Sequence, residues 1–239
     1  MGRAVELSAL TALVARERLV TVVGPGGCGK TRLAIEALAG RPLHGFVELA
    51  AAGPATDLAR IALNACALPE EPGRLPLDQL VELGDGLLVL DNCEHLRREA
   101  AALADALLRR CPAVRILATS RVTLGVAGEA VLPLVGLDRA DAVALFYDRA
   151  RRIQPRLVDA DAVAGEICAL ADGLPLAVEL AAAHARALPL VDIRDGMADR
   201  MRFLAAPRPG RAAAAPLGTF ARSTPSGRPH RCLRSQGRE

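Results

Sequence analysis

The fold is decided by residues 19–31, which read LVTVVGPGGCGKT. The first five of these residues are apolar or β-branched and predict a buried strand. The glycine-rich part that follows fits the pattern G-x-x-x-x-G-K-[ST], and a helical pattern begins directly after it. In such a strand, loop and helix, the backbone N–H groups of the loop turn inward around a phosphate, and the helix N-terminus adds partial positive charge. The stretch therefore predicts a site for the phosphates of a nucleotide.

Lys30 is the single lysine of the chain, since every other residue counted among the 30 Lys and Arg is arginine. A compact ammonium fits inside a phosphate-wrapping loop where a planar guanidinium is too bulky. We expect Lys30 to reach the β- and γ-phosphates and the hydroxyl of Thr31 to ligate Mg²⁺. The residues predicted to contact the nucleotide along this stretch are Gly24, Pro25, Gly26, Gly27, Cys28, Gly29, Lys30, Thr31 and Arg32.

The composition favours a globular protein, with 51% hydrophobic residues for a core. No apolar run is long enough for a membrane span and the N-terminus lacks a signal-peptide pattern, so we expect a cytoplasmic protein without a membrane partner. Six cysteines without a C-x-x-C pair indicate reduced thiols. Residues 206–239 carry seven arginines and one acid, so the rest of the chain is net negative. With 2% aromatic residues and no basic stripe, we predict no direct DNA binding by this chain.

Strand and helix patterns alternate through the first half of the chain. This alternation predicts an α/β fold, a P-loop NTPase with a doubly wound parallel sheet and right-handed crossovers. The expected strands after the first are 45–49, 86–91, 114–119 and 130–133, and the expected helices are 3–16, 32–39, 54–67, 77–83 and 94–110.

From Asp138 onward the pattern is helical only, with helices expected at 138–152, 159–171, 175–187 and 190–204. Asp138 and Asp159 are plausible N-caps and Pro175 a first-turn proline. We therefore predict a nucleotide-binding domain at 1–133, a small all-helical module at 134–205 and a disordered tail rich in Arg, Pro and Ala at 206–239.

Asp91 ends an apolar strand at the sheet edge where ligands of α/β proteins bind. Beside a phosphate loop, an acid there predicts a Mg²⁺ ligand, and the alternative is a helix N-cap. Asn92 follows where many hydrolytic proteins of this layout carry a second acid. Glu94 is either the base that activates water or a first-turn acid favoured by the helix dipole.

Arg121 follows the next strand at the same edge. It is either a sensor that distinguishes ATP from ADP through the γ-phosphate or a solvated loop arginine. Guanine-selective P-loop proteins usually carry an Asn-Lys-x-Asp element, which a chain without a second lysine cannot contain. We therefore expect ATP or ADP, with Mg²⁺, as the cofactor.

Four segments together closely resemble the STAND NTPases: 24–31, 87–95 (LLVLDNCEH), 118–121 (ATSR) and 172–177 (DGLPLA). More narrowly, the chain looks like the NB-ARC-type ATPase module of large bacterial transcriptional regulators of the LuxR and antibiotic-regulatory classes. Residues 2–7 (GRAVEL) are similar to the element that begins the nucleotide domain of that family. The resemblance implies that Arg121 is a sensor, that Pro175 lies against the adenine, and that the protein is a switch, compact with ADP and open or oligomeric with ATP.

The chain departs from this family at both ends, because no effector domain precedes residue 2 and no winged-helix domain follows residue 204. Its tail resembles a coding sequence read in the wrong frame, so we expect a truncated gene product or a frameshifted gene. The first hypothesis is a regulatory switch with slow ATP hydrolysis, partnered by regulator domains or by self-association. The alternatives are a P-loop kinase of small molecules and a truncated, non-signalling remnant that only binds nucleotide.

Overall fold

A five-stranded parallel sheet forms the centre of the computed structural model, which describes residues 2–40, 43–53 and 56–197. The strands lie in the spatial order β2-β3-β4-β1-β5, and each hydrogen-bonded pair is parallel. The prediction of an α/β fold with a parallel sheet is confirmed. The strands are β1 Leu19–Val23, β2 Leu43–Glu48, β3 Gly86–Asp91, β4 Val114–Ser120 and β5 Glu129–Pro133.

Helices precede, connect and follow the strands, as parallel pairing requires. The helices that surround the sheet are α1 Ala4–Arg16, α2 Lys30–Ala37, α3 Leu58–Ala65, α4 Pro76–Leu80 and α5 Arg97–Arg110, with 3₁₀-helices at Val81–Leu83 and Cys93–Leu96. The helices after the sheet are α6 Arg139–Ile153, α7 Asp161–Leu170, α8 Pro175–His184 and α9 Leu190–Gly196. None of these helices in the described part of the chain has the length and apolarity to cross a membrane.

Both faces of the sheet are buried. Along β3, Leu88 and Leu90 belong to one core together with residues of α3, α4 and α5. Leu87 and Val89 point to the opposite core, which α1 and α2 cover. This alternation explains why β3 is apolar at successive positions.

The strand order brings the chemical residues to one edge of the sheet. β4 lies between β1, which leads into the glycine loop, and β3, which ends at Asp91. Because all three strands are parallel, their carboxyl ends meet at the same edge. The side chains that follow β1, β3 and β4 can therefore contact one another across a single strand.

Helices α6 to α9 build an apolar core of their own around residues such as Phe146 and Ile167, both fully buried. Asp138 caps α6, since its Oδ1 accepts from the backbone N–H of Asp141 at 2.8 Å. Pro175 occupies the first turn of α8, as predicted. The domain division at residue 133 stays a prediction.

Several predicted bounds are wrong by a few residues, such as the helix predicted at 54–67, which is Leu58–Ala65, and two other differences have a local cause. Asp159 does not cap α7, which begins at Asp161 after Ala160, because its carboxylate pairs with Arg151 instead. The α-helix expected from residue 94 begins at Arg97, because the preceding turn is a 3₁₀-helix. The end of the helix predicted to reach residue 204 and the tail at 206–239 lie outside the described residues.

Candidate functional site

The glycine loop connects β1 to α2 with a tight backbone path. The backbone N–H of Gly24 donates to the carbonyl of Ser120 on β4, and a Cβ at Gly24 would lie 2.1 Å from the carbonyl oxygen of Leu134. Gly29, the residue before α2, has φ +98° in the left-handed region. Glycine is therefore required at both ends of the loop, by close approach at Gly24 and by backbone conformation at Gly29.

Lys30 is folded into the loop that it follows. Its Nζ donates to the carbonyl oxygens of Gly24 at 2.9 Å and of Pro25 at 3.0 Å. The residue is 8% exposed, so its ammonium is a shielded charge in the concave side of the loop. A charge held there by neutral carbonyls can exchange them for a phosphate oxygen.

A cluster of two hydroxyls and a carboxylate lies at the start of α2, with Asp91 and Thr119 buried and Thr31 exposed. Oδ1 of Asp91 accepts from Oγ1 of Thr31 at 2.8 Å and from Oγ1 of Thr119 at 2.5 Å. Oγ1 of Thr119 in turn accepts from the backbone N–H of Asn92 at 2.9 Å. Asp91 thus makes its contacts with the loop and with β4, and it does not cap a helix. The predicted pair of metal ligands, Thr31 and Asp91, is in direct contact.

A second cluster surrounds Glu94, whose side chain is only 9% exposed. Oε1 of Glu94 accepts from Nε of Arg121 at 3.1 Å. With its amide nitrogen facing Glu94, Asn92 donates to Oε1 at 3.0 Å and to Oε2 at 3.2 Å. Asn92 has φ +67°, an uncommon conformation for a residue with a Cβ, and it turns the chain so that this contact forms. The Glu94 carboxylate is therefore oriented by an arginine and an amide side chain.

Arg121 also reaches toward the glycine loop. A Cβ at Gly26 would lie 3.3 Å from Nη2 of Arg121, which places the guanidinium over the loop. The arginine side chain is 60% exposed, so it can move without disturbing the core. Its position fits a group that contacts the outer phosphate of a nucleotide.

Arg3 is a contact residue of the loop to which the sequence alone assigned no role. Its Nη2 donates to the carbonyls of Val135 at 2.5 Å and Cys28 at 3.3 Å, and its Nη1 donates to Glu6 at 2.5 Å. Burial acts to raise the pKa of the Glu6 carboxyl, but the hydrogen bond and charge of Arg3 outweigh it, so this pKa lies below its usual value. Arg3 thereby ties α1 to the glycine loop and to the segment after β5.

A cavity of about 630 Å³ opens beside the loop, within the size range of small-molecule sites. Among its walls are the loop residues Cys28 and Gly29, the predicted contact Arg32 and the predicted base contact Pro175. Leu176, the residue after this proline, donates its N–H to the carbonyl of Gly27 at 3.2 Å. The start of α8 therefore packs directly on the loop. Of the predicted contacts, Cys28, Gly29, Arg32 and Pro175 share this cavity, whereas Lys30, Thr31 and Arg121 do not line it.

Cys93 lies between Asp91 and Glu94 but offers no nucleophile. Burial, reinforced by the charges of Asp91 and Glu94, raises the pKa of the Cys93 thiol to about 12. The thiol therefore stays protonated at neutral pH. Cys93 is fully buried and packs in the core next to the site. Its Sγ donates to the carbonyl of Leu90 at 3.3 Å.

The sheet order and the glycine loop define the fold of the P-loop NTPases, and comparison with solved structures agrees. The Walker-type ATPase PABY2304 of Pyrococcus abyssi superimposes with a TM-score of 0.60 at 18% identity, over 83% of this chain and 71% of that one. A STAND protein with a tetratricopeptide repeat sensor from Pyrococcus horikoshii gives a TM-score of 0.53 at 19% identity, over 84% of this chain and 32% of that one.

Among sequence relatives, a Mycobacterium tuberculosis protein described as a candidate HTH-type transcriptional regulator is 45% identical over 206 residues. The match covers 82% of this chain and 23% of the relative, so the chain spans about a quarter of the length of that protein. No protein-family model matches the chain.

Proposed function

We propose that this chain is an ATP- and ADP-binding module that acts as a regulatory switch with slow ATP hydrolysis. The observation that carries the proposal is the contact between Thr31 and Asp91 beside a loop that already holds the Lys30 ammonium. A nucleotide phosphate chain is bound by a protein cation and by a divalent ion. Lys30 is the protein cation, and Thr31 and Asp91 are oxygen donors that would hold the divalent ion.

Phosphate binding is assigned to the loop and to Lys30. The loop residues Cys28 and Gly29, which directly precede α2, line the cavity, and a helix N-terminus is a favourable place for an anion. On binding, Lys30 exchanges the carbonyls of Gly24 and Pro25 for phosphate oxygens, and the loop opens around the ligand. Arg32, which also lines the cavity, adds positive charge near the ligand.

The donor set at Thr31 and Asp91 fits Mg²⁺. Their two oxygens are 2.8 Å apart, close to the separation of about 3 Å between neighbouring ligands in an octahedral Mg²⁺ shell. A bound Mg²⁺ would neutralise charge on the phosphate oxygens. Thr119 keeps the Asp91 carboxylate in place through its own hydrogen bond.

Hydrolysis is assigned to Glu94 and Arg121. Glu94 is held by Asn92 and Arg121 close to the loop, where its carboxylate can take a proton from water. When Arg121 turns to the γ-phosphate, the Glu94 carboxylate is released from its ion pair and can accept a hydrogen bond from water instead. One movement therefore couples recognition of ATP to activation of water, and ADP does not trigger it.

The base is assigned to the cavity near Pro175, which lies in the first turn of α8. Because α8 also contacts Gly27 of the loop, a change in the loop reaches the helices after the sheet. This contact supports a switch in which the occupied loop repositions α8. The similarity to a relative described as a transcriptional regulator and to a structural neighbour of the STAND class supports a role in signal transduction. The partners in this role are regulator domains or a second copy of the chain.

The test is to purify the chain, denature it and identify any released nucleotide by chromatography. We expect ADP. Added ATP and Mg²⁺ should release phosphate slowly without any acceptor molecule, which separates a switch from a small-molecule kinase. A protein that carries no nucleotide and binds none would contradict the proposal.

A further inference from the structure

Several charged residues that the proposed contacts do not use line the same cavity, and two of them form an ion pair across neighbouring helices. Arg149 of α6 and Glu179 of α8 both line it, and Nε of Arg149 donates to Oε1 of Glu179 at 3.1 Å. Arg149 also pairs with Asp148. The side chains of Arg149 and Glu179 are 25% and 36% exposed, so the pair is a partly desolvated part of the cavity wall.

The position of Glu179 follows from the geometry of α8. Glu179 comes four residues after Pro175, so the two lie on the same face of the helix, about 6 Å apart along its axis. The helix begins at the glycine loop, where the N–H of Leu176 contacts Gly27. Glu179 therefore lies one turn beyond the proposed base contact, counted from the end of α8 that touches the loop.

The charge of Glu179 limits what it can contact. A carboxylate repels phosphate and accepts hydrogen bonds, so its partner must be a donor on the ligand. In a purine nucleotide the sugar is attached at N9, and the 6-substituent lies at the other end of the ring system. With the phosphates at the loop and the ring against Pro175, the 6-substituent is the group directed beyond that proline.

We infer that Glu179 is a specificity-determining residue that accepts a hydrogen bond from the 6-amino group of adenine. Arg149 is its positioning residue, because it orients the carboxylate through Oε1 and leaves Oε2 as the assigned acceptor. A nucleotide with a 6-oxo group, such as IDP or GDP, presents an acceptor to the same carboxylate and is rejected. This inference rests on the nucleotide site proposed above and names the part of the ligand that the cavity selects.

The experiment measures the affinity of the full chain for ADP, IDP and 2′-deoxy-ADP with Mg²⁺ by titration calorimetry. We expect ADP to bind about tenfold more tightly than IDP, as one charge-assisted hydrogen bond implies. In Glu179→Gln this preference should disappear or reverse, because a carboxamide nitrogen can donate to the 6-oxo group. The Gln oxygen can still accept from Arg149, so the wall stays intact.

Two further variants complete the design. Glu166→Gln on α7 removes an acid that pairs with Arg194, away from the lining of the cavity, and should keep the preference for ADP. Arg149→Gln should weaken the ratio of ADP to IDP affinity while leaving the ratio of ADP to 2′-deoxy-ADP affinity unchanged. A merely structural role would lower the affinities for all three nucleotides equally.

The outcomes separate this inference from the proposed function. If the wild-type chain binds ADP and IDP equally well, or if Glu179→Gln keeps the wild-type preference, the assignment of Glu179 is overturned while the nucleotide site stands. If Glu179→Gln changes only the discrimination against 2′-deoxy-ADP, the carboxylate contacts the ribose and the assignment is again overturned. If none of the three nucleotides binds, the proposed function fails together with the inference.

Discussion

Thr31 on α2 and Asp91 at the end of β3 are 60 residues apart in sequence, yet their side-chain oxygens are 2.8 Å apart. The contact forms because β4 inserts between β1 and β3 and contributes Thr119, which donates to the same carboxylate oxygen. The glycine loop and the acidic strand end are thereby joined before any ligand binds. A preformed pair of this kind limits the reorganisation that a cation requires.

Replacing the acid of this pair should remove the effect of Mg²⁺ on nucleotide binding. In Asp91→Asn the amide oxygen can still accept from Thr31, but its neutral group is a poor ligand for Mg²⁺. We expect the rise in melting temperature on adding ADP to become the same with Mg²⁺ and with a chelator. Asp105→Asn, an exposed acid on α5, is the control and should keep the Mg²⁺ dependence. An unchanged Mg²⁺ dependence in Asp91→Asn would exclude Asp91 as the ligand.

Arg121→Ala should weaken the binding of ATP but not that of ADP. The side chain is 60% exposed, so the fold should be retained, while the contact with the γ-phosphate is lost. We expect the affinity for ATP to fall about tenfold, and that for ADP to stay within twofold. The control is Arg109→Ala, an arginine of α5 with a side chain 76% exposed. Equal losses for ATP and ADP would show that Arg121 does not sense the outer phosphate.

Replacing either of two buried threonines on adjacent strands by valine should change the stability of the fold, but in opposite directions. Thr21 and Thr119 are both fully buried, but Oγ1 of Thr21 has no hydrogen-bond partner among the described residues, whereas Oγ1 of Thr119 has two. Thr21→Val removes an uncompensated hydroxyl and should stabilise the fold by about 1 kcal/mol. Thr119→Val should destabilise it by about 1–3 kcal/mol, because it removes one of the two hydroxyl donors to Asp91 and leaves the Asn92 N–H without its acceptor.

Urea denaturation of both threonine variants measures these changes. The test is independent of any ligand, since it compares the free energies of unfolding of the apo proteins. Destabilisation of the Thr21 variant by as much as the Thr119 variant would show that the two hydroxyls are equally satisfied. That result would contradict the hydrogen-bond network described here.

The ion pair of Arg3 and Glu6 should make the stability of the fold depend on pH in the acidic range. The pKa of Glu6 in the folded protein is lowered from 4.5. The ion pair therefore contributes fully to the free energy of unfolding above that pH, and its contribution is lost as the pH falls through the pKa of the folded state. In Glu6→Gln the loss of stability at neutral pH should be under about 1 kcal/mol, because the pair is only partly buried. The difference between wild type and variant should shrink below a pH of about 4.5. A difference that stays constant down to pH 3 would contradict this role.

The sequence was sufficient to predict the parts of this fold that rest on local patterns. The apolar runs of β1 and β3 and the glycines of the loop predict a parallel sheet with a phosphate loop, and the structure confirms that sheet. The cap at Asp138 was also predictable, because a short acid before an amphipathic helix has a local cause. Asp159 has the same local pattern, but its ion pair with Arg151 is a tertiary contact that the pattern does not reveal.

The contacts that complete the candidate site are of long range and could not be predicted. The bridging role of Thr119 depends on the position of β4 between β1 and β3, which alternation of strands and helices does not specify. Arg3 lies 25 residues before Cys28 and 132 before Val135, and no spacing links it to either carbonyl. The similarity of residues 2–7 to the start of the nucleotide domain in the STAND family indicated that Arg3 belongs to this domain. It did not indicate which groups Arg3 contacts.

The most direct test of the central claim is a calorimetric titration of ADP with Mg²⁺ into the wild type, Lys30→Ala and Lys30→Arg. Within the described part of the chain, the Lys30 ammonium donates to the backbone carbonyls of Gly24 and Pro25, so both variants should fold, as circular dichroism and the melting temperature would verify. We predict that Lys30→Ala loses about 10- to 100-fold in affinity, because a charge-assisted contact with phosphate is removed. Lys30→Arg should lose as much, since a guanidinium does not fit the loop. Full affinity in both folded variants would contradict the assignment of the loop as a phosphate site.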